Sequence, residues 1–160
     1  MTEDVSERLA KLEAAEAIRN LRAEYAYVCD AGFDPDRIAA TFTEDGVLDA
    51  GAFGRFEGRE AIGAYFADVP AMLSWSMHVM GTSRIEVTDG AQEATGRWYF
   101  LEPCIMDGAD TWVMGAYDDH YRLDEDGQWR FAEVQLVPRV VSPYDSGWGP
   151  GVFPPQEKET

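Results

Sequence analysis

Apolar residues recur at Ile18, Leu21, Tyr25 and Val28, at steps of three and four, and this spacing predicts one buried stripe of an amphipathic helix. Carried back through Leu9 and Leu12 as further apolar anchors, the pattern predicts one long helix, or two abutting ones, over residues 3–30. Its first ten residues are polar enough to lie outside the core. Gly32, two residues past Asp30, suits the left-handed conformation that ends a helix. Asp34-Pro35 sets an N-cap ahead of a proline at the first position of a second helix, 35–42. Thr43-Glu44-Asp45-Gly46 reads as a turn, Val47-Leu48-Asp49 as a short strand, and Gly51 and Gly54 as bends. A third helix is predicted from Gly58 through Phe66, stopped near Pro70.

From Ser74 the period changes. Segments 74–80, 84–87, 94–105, 111–123 and 128–140 are rich in Trp, Tyr, Phe, Val, Met and Thr and read as strands. Asp89-Gly90, Asp107-Gly108 and Asp126-Gly127 mark turns between them, which implies a meander of antiparallel hairpins. Helices followed by a twisted sheet give an α+β class: a cone-shaped, curved antiparallel sheet wrapped around the long N-terminal helix and open at one end. The expected division is a domain over 1–141 and a Pro- and Gly-rich tail over 142–160 without regular structure. Trp148 and Phe153 in that tail are candidates to pack on the body or on a neighbouring subunit.

Composition narrows the partners. The 160 residues fit one domain, and 46% hydrophobic with 12% aromatic residues suffice for a sizeable core. Thirty acidic against 13 basic residues give a net charge of −17, which repels nucleic acid and anionic membrane surfaces. Cys29 and Cys104 are too few for a disulfide framework or a zinc site and read as reduced. A charged N-terminal stretch speaks against a secretory signal, and no apolar run approaches the roughly 20 residues of a membrane span, so a soluble, cytoplasmic protein is expected.

Asp30 stands out chemically. A carboxylate in the last turn opposes the helix macrodipole, at a cost of roughly 0.3–1 kcal/mol when exposed. A histidine donating its ring N–H is the obvious partner, and there are two histidines. His120, in Asp118-Asp119-His120-Tyr121-Arg122, reads as a solvated edge residue. His78 lies in the apolar run Trp75-Ser76-Met77-His78-Val79-Met80. It is open to two readings, a core histidine bonded to a backbone carbonyl or a general base beside a carboxylate. Strand parity puts Trp98, Phe100 and Glu102 on one face. In that aromatic row a carboxylate is costly unless bonded or protonated, which makes Glu102 a second candidate acid. Phe66, Trp75, Trp98, Phe100, Met114 and Phe131 are candidate apolar walls. A phosphate loop, a serine elbow and a His-x-x-x-His metal pattern are all absent from the sequence, and the neighbours Asp118, Asp119 and His120 would point to alternate faces of a strand.

The motifs Glu24-Tyr25-Ala26-Tyr27-Val28-Cys29-Asp30, Phe42-Thr43-Glu44-Asp45-Gly46, Ser76-Met77-His78-Val79-Met80-Gly81, Ala94-Thr95-Gly96-Arg97-Trp98-Tyr99 and Tyr117-Asp118-Asp119-His120-Tyr121 resemble the SnoaL-like branch of the nuclear transport factor 2 superfamily. The likeness spans about residues 10–140. Within the branch it is strongest to the bacterial bile acid 7α-dehydratases, with hexachlorocyclohexane dehydrochlorinases and scytalone dehydratases as relatives. It implies a cystatin-like α+β barrel, often a homotrimer, that performs eliminations on a small hydrophobic substrate without metal or organic cofactor. The family's helix-end aspartate falls on Asp30, its strand histidine on His78, the dehydratase's helix tyrosine on Tyr25 and a further acid on or beside Glu102. An active-site tyrosine expected near the first strand appears here as Asp49 or Ala50. The implied activity is a dehydratase for a steroid-like or polycyclic hydroxy-ketone. An isomerase or polyketide cyclase using the same pocket, or a non-catalytic ligand-binding domain, are the alternative readings. Tyr25 and Asp30 stand about 140° apart on an ideal helix, so they converge only if the last turn unwinds or the pocket wraps around the helix end.

Overall fold

A computed structural model describes residues 4–149. Helix α1 spans Val5–Asp30, and its buried residues begin only at Ala14. Ile18, Tyr25 and Val28 are enclosed, whereas the expected anchors Leu9 and Leu12 are 53% and 69% exposed and lie outside the core of the described residues. The helix ends in two reciprocal bonds. The Gly32 N–H donates to the Cys29 carbonyl, and the Phe33 N–H to the Val28 carbonyl. This closure needs a left-handed residue after the cap, which Gly32 supplies at φ 106°. Phe33 follows at φ 60°, a conformation that bulky residues rarely adopt, and is buried nonetheless.

Helix α2, Pro35–Ala40, starts where the Asp34 side chain accepts the Arg37 N–H at 3.0 Å. Strand β1 runs over Phe42–Asp49, so the expected turn at Thr43–Gly46 is instead an irregular stretch within a strand. A Cβ on Gly46 would lie 2.9 Å from that of Phe42 and 3.2 Å from the Phe131 carbonyl, so only glycine lets the backbones pass there. A 3₁₀ turn and a short strand β2, Arg55–Glu57, fill the region read as bends. Helix α3 covers Arg59–Met72 and carries Pro70 inside it, running past the predicted stop. The missing proline N–H costs one bond near the helix end, where few bonds remain to lose.

The remaining strands are β3 (Leu73–Ser76), β4 (Val79–Val87), β5 (Glu93–Met106), β6 (Ala109–Leu123) and β7 (Trp129–Pro143). Their order is β2-β1-β7-β6-β5-β3, with β4 also paired to β5. β3 to β7 form the predicted antiparallel meander, but β1 lies parallel to β7, so the sheet is mixed rather than wholly antiparallel. The chain reaches β1 through α2 on the helical side, which lets β1 join the free edge of β7 in the same direction. The result is an α+β half-barrel curled around α1. β7 runs two residues beyond 141, and a 3₁₀ turn follows at Tyr144–Ser146. Trp148 packs against Trp112 at 5.5 Å between ring centroids, while Phe153 lies outside the described residues. Among the described residues, no helix is long and apolar enough to cross a membrane.

Candidate active site

β5 is long enough to pair with β4 along one part and with β3 along the other. Val79 pairs with Leu101 and Ser76 with Cys104, so the register on both sides of the break sets His78 opposite Glu102. Met77 and His78 belong to neither strand, contrary to the continuous strand predicted over 74–80. The interruption frees a backbone donor. The His78 N–H donates to both Asp30 oxygens, at 2.9 and 3.0 Å, and the His78 ring Nδ1 lies 2.7 Å from Oδ1 of the same carboxylate. Asp30 therefore fixes the backbone and the ring of one residue at once. With Nδ1–H donating to Asp30, Nε2 is the nitrogen left to accept a proton.

Nε2 lies 3.6 Å from Glu102 Oε1, too long for a good hydrogen bond and short enough for a proton to cross once the groups close. The His78 side chain is 5% exposed and that of Glu102 is 8%. Burial pushes the Glu102 carboxyl above its ordinary range; His78 opposes this and Asp30 adds to it. Phe33, held in its left-handed conformation, meets the His78 ring edge-on at 6.5 Å and stacks on Phe66 at 6.3 Å.

These groups open on one cavity, whose polar lining is Tyr25, Cys29, Tyr65, His78, Glu102 and Tyr117. The rest is apolar, chiefly Phe33, Leu48, Phe66, Val69, Met106 and Val113. Tyr25 is buried, with its ring edge-on to Phe42, Phe66 and Phe131. Burial raises the Tyr25, Tyr117 and Cys29 groups well above their ordinary values, and raises Tyr65 to about 12. Asp30 is not part of the cavity lining. It grips His78 from behind, so Tyr25 and Asp30 serve one site without sharing a helix face. Ala50 lines the cavity, and the Asp49 carboxylate accepts the Gly51 N–H at 3.0 Å.

Several expected walls lie elsewhere. Ser76 and His78 point inward, so Trp75 points outward and is 49% exposed. Met114 alternates with the cavity-lining Val113 and falls on the outer face for the same reason. Trp98 and Phe100 are inward but beyond the cavity, Trp98 donating to the Tyr121 hydroxyl at 2.8 Å and Phe100 packing on Tyr117 at 4.6 Å. Phe131 is fully enclosed and outside the lining. Of the six proposed wall residues, Phe66 borders the space.

Behind the cavity-lining Tyr25 and Tyr117 lies a pair that periodicity could have revealed. Ile18, Arg22, Tyr25 and Cys29 follow the same three- and four-residue steps as the apolar stripe, and Arg22 is 0% exposed. Its guanidinium donates from Nη2 to Oδ2 of Asp119, whose side chain is likewise fully enclosed. Tyr121 donates to the same carboxylate at 2.5 Å. Asp119 shares its strand face with Tyr117 and Tyr121, the parity signal that marks it as buried. Burial alone would depress the guanidinium, but Asp119 and the neighbouring tyrosine oxygens outweigh it and hold Arg22 above the usual arginine value. His120 is exposed.

The family model of the SnoaL-like domain matches residues 10–135. Among solved structures, the chain is similar to a scytalone dehydratase-like protein from Novosphingobium aromaticivorans, at 23% identity over 84% of this chain and 90% of that one, with a TM-score of 0.76. It is also similar to LinA, at 20% identity over 93% and 99% with a TM-score of 0.79. A third is the hexachlorocyclohexane dehydrochlorinase LinA-type3 from Novosphingobium barchaimii, at 18% identity over 92% and 99% with a TM-score of 0.78. At these identities the likeness speaks for the fold. No curated protein matches the chain by sequence.

Proposed function

The chain belongs to the SnoaL-like domain family, and from that premise we propose that it is a cofactor-free lyase, a dehydratase removing water from a hydrophobic, steroid-like or polycyclic hydroxy-ketone. The observation that carries this reading is the His78 ring, held at 2.7 Å by Asp30 on one nitrogen and facing Glu102 at 3.6 Å on the other, inside a largely apolar cavity. Two of the similar structures bear the names of elimination enzymes, a dehydratase and a dehydrochlorinase, which supports the class.

In this reading His78 Nε2 removes the proton beside the ketone, with Asp30 holding the ring and stabilising the imidazolium. Tyr25 donates a hydrogen bond to the oxygen that becomes an enolate. Glu102, whose proton burial makes harder to lose, gives that proton to the departing hydroxyl as the C–O bond breaks and the C=C bond forms. His78 is then charged and Glu102 is an anion. Passage of the proton from Nε2 to Oε1 restores both groups.

The test follows loss of water by mass from a panel of hydroxy-ketosteroids and smaller β-hydroxy ketones. His78→Ala and Asp30→Asn are compared with wild type. Turnover by wild type that drops roughly 10²–10⁴-fold in the His78 variant supports the base assignment. Binding without water loss would favour an isomerase, a cyclase or a ligand-binding domain. A homotrimer belongs to the same proposal, with Trp75, Met77, Val79 and Tyr99 left exposed on the outer face to form contacts. Sedimentation of the same samples would return one monomer mass if this is wrong.

A further inference from the structure

The Arg22 guanidinium lies 5.0 Å from the centre of the Tyr25 ring and 4.5 Å from that of Tyr117. Both rings line the cavity and Arg22 does not, so two phenols stand between a fixed positive charge and the space a substrate would enter. The charge cannot swing away. Nη2 is bonded to Asp119, Asp119 accepts the Tyr121 hydroxyl, and that hydroxyl accepts the Trp98 Nε1–H. Tyr117 is 5% exposed, and among the described residues its hydroxyl has no hydrogen-bond partner. The residue lines the cavity. Among the described residues the Tyr25 hydroxyl has no hydrogen-bond partner stronger than the neighbouring Cys29 thiol, a weak acceptor. Buried tyrosine hydroxyls ordinarily find a partner, and two donors without a strong one point to an oxygen that arrives with the ligand.

We propose that Tyr25 and Tyr117 together seat the carbonyl oxygen of the substrate, Tyr117 as the second donor, and that Arg22 is a positioning residue that orients both rings and favours negative charge on that oxygen. This rests on the elimination reading above, in which that oxygen becomes an enolate. A cation against the faces of two phenols draws electron density from them and strengthens their O–H groups as donors. Burial holds both hydroxyls protonated, as donors must be, while Arg22 pulls in the opposite direction.

The test compares binding of two probes of nearly the same shape, 4-nitrophenol and 4-nitrotoluene, which differ in a hydroxyl against a methyl group. Wild type is expected to favour 4-nitrophenol, increasingly as the probe ionises. Tyr117→Phe, which removes one oxygen atom and keeps the ring, should weaken 4-nitrophenol by about tenfold or more and leave 4-nitrotoluene nearly unchanged. Arg22→Met combined with Asp119→Asn leaves no lone buried charge and should likewise reduce the preference for 4-nitrophenol. A merely structural Arg22 would instead weaken both probes alike. Should that double variant fail to fold, Tyr117→Phe still decides. Absence of any preference in wild type, including failure to bind either probe, overturns the proposal, as does a preference that survives Tyr117→Phe. Turnover does not enter these measurements, so loss of the elimination reading and loss of the oxygen seat would be seen separately.

Discussion

One buried acid lines the cavity and another lies behind its wall, and the two are treated in opposite ways. Behind Tyr25 and Tyr117, Asp119 is locked to Arg22 and Tyr121, with no solvent at Arg22 or Asp119. In the cavity wall, Glu102 has no close hydrogen bond among the described residues and faces His78 across 3.6 Å. Both carboxyls are raised by burial, yet only Asp119 has a guanidinium to hold its charge in place. The difference separates a fixed charge from a movable proton. A fixed pair shapes the field of the cavity, and a carboxyl without a fixed counter-charge is free to exchange a proton.

The contrast is broken most severely at the buried ion pair. Arg22→Met leaves Asp119 buried and unpaired and is expected to cost about 3–5 kcal/mol in a denaturation measurement, whereas adding Asp119→Asn should recover much of the loss. A double variant no more stable than the single one would show that the pair does not act as a unit.

A smaller effect sharpens the other side of the contrast. Glu102→Gln should lower turnover by about 10²-fold, the lower range for losing a proton donor. Its pH signature has a definite sign. The folded carboxyl binds its proton more tightly than the unfolded chain does, so its contribution to stability is full below the ordinary value of 4.5 and is lost as pH rises through the raised value. Wild-type stability should therefore decline across that window relative to Glu102→Gln, and turnover should fall on the same rise. Parallel stability curves for the two proteins would contradict the assignment. The smallest effect lies far from both acids: Leu12→Ser, at an exposed position, should change stability by no more than about 0.5 kcal/mol.

Much of this contrast was legible in the residues, though unevenly. Alternation along β5 marked Glu102 as buried, and the carboxylate at a helix end asked for a histidine partner. The turn signals located the hairpins, with Gly90, Gly108 and Gly127 all at positive φ. Local pattern could not show that β1 joins β7 in parallel, because that pairing depends on where α2 and the intervening residues return the chain. Nor could it show that Trp75 turns outward until His78 was known to point in. Arg22 is hard to read from the sequence because a charge on an apolar stripe looks like an interruption. At helical spacing from Ile18 and Tyr25 it was instead part of the core.

The break between β3 and β4 has a consequence for chain length. His78 meets Glu102 because residue numbers on the two sides of β5 keep a constant sum, from Ser76 opposite Cys104 to Met80 opposite Phe100. One residue inserted between Met77 and Met80 would slip that count and turn the imidazole or its neighbours to the opposite side of the sheet. An insertion at the Asp89-Gly90 tip, beyond the last rung at Val87 and Ala94, leaves the count untouched. Descendants of this chain are thus free to lengthen at the hairpin tip and are held to an unchanging residue count at the interruption.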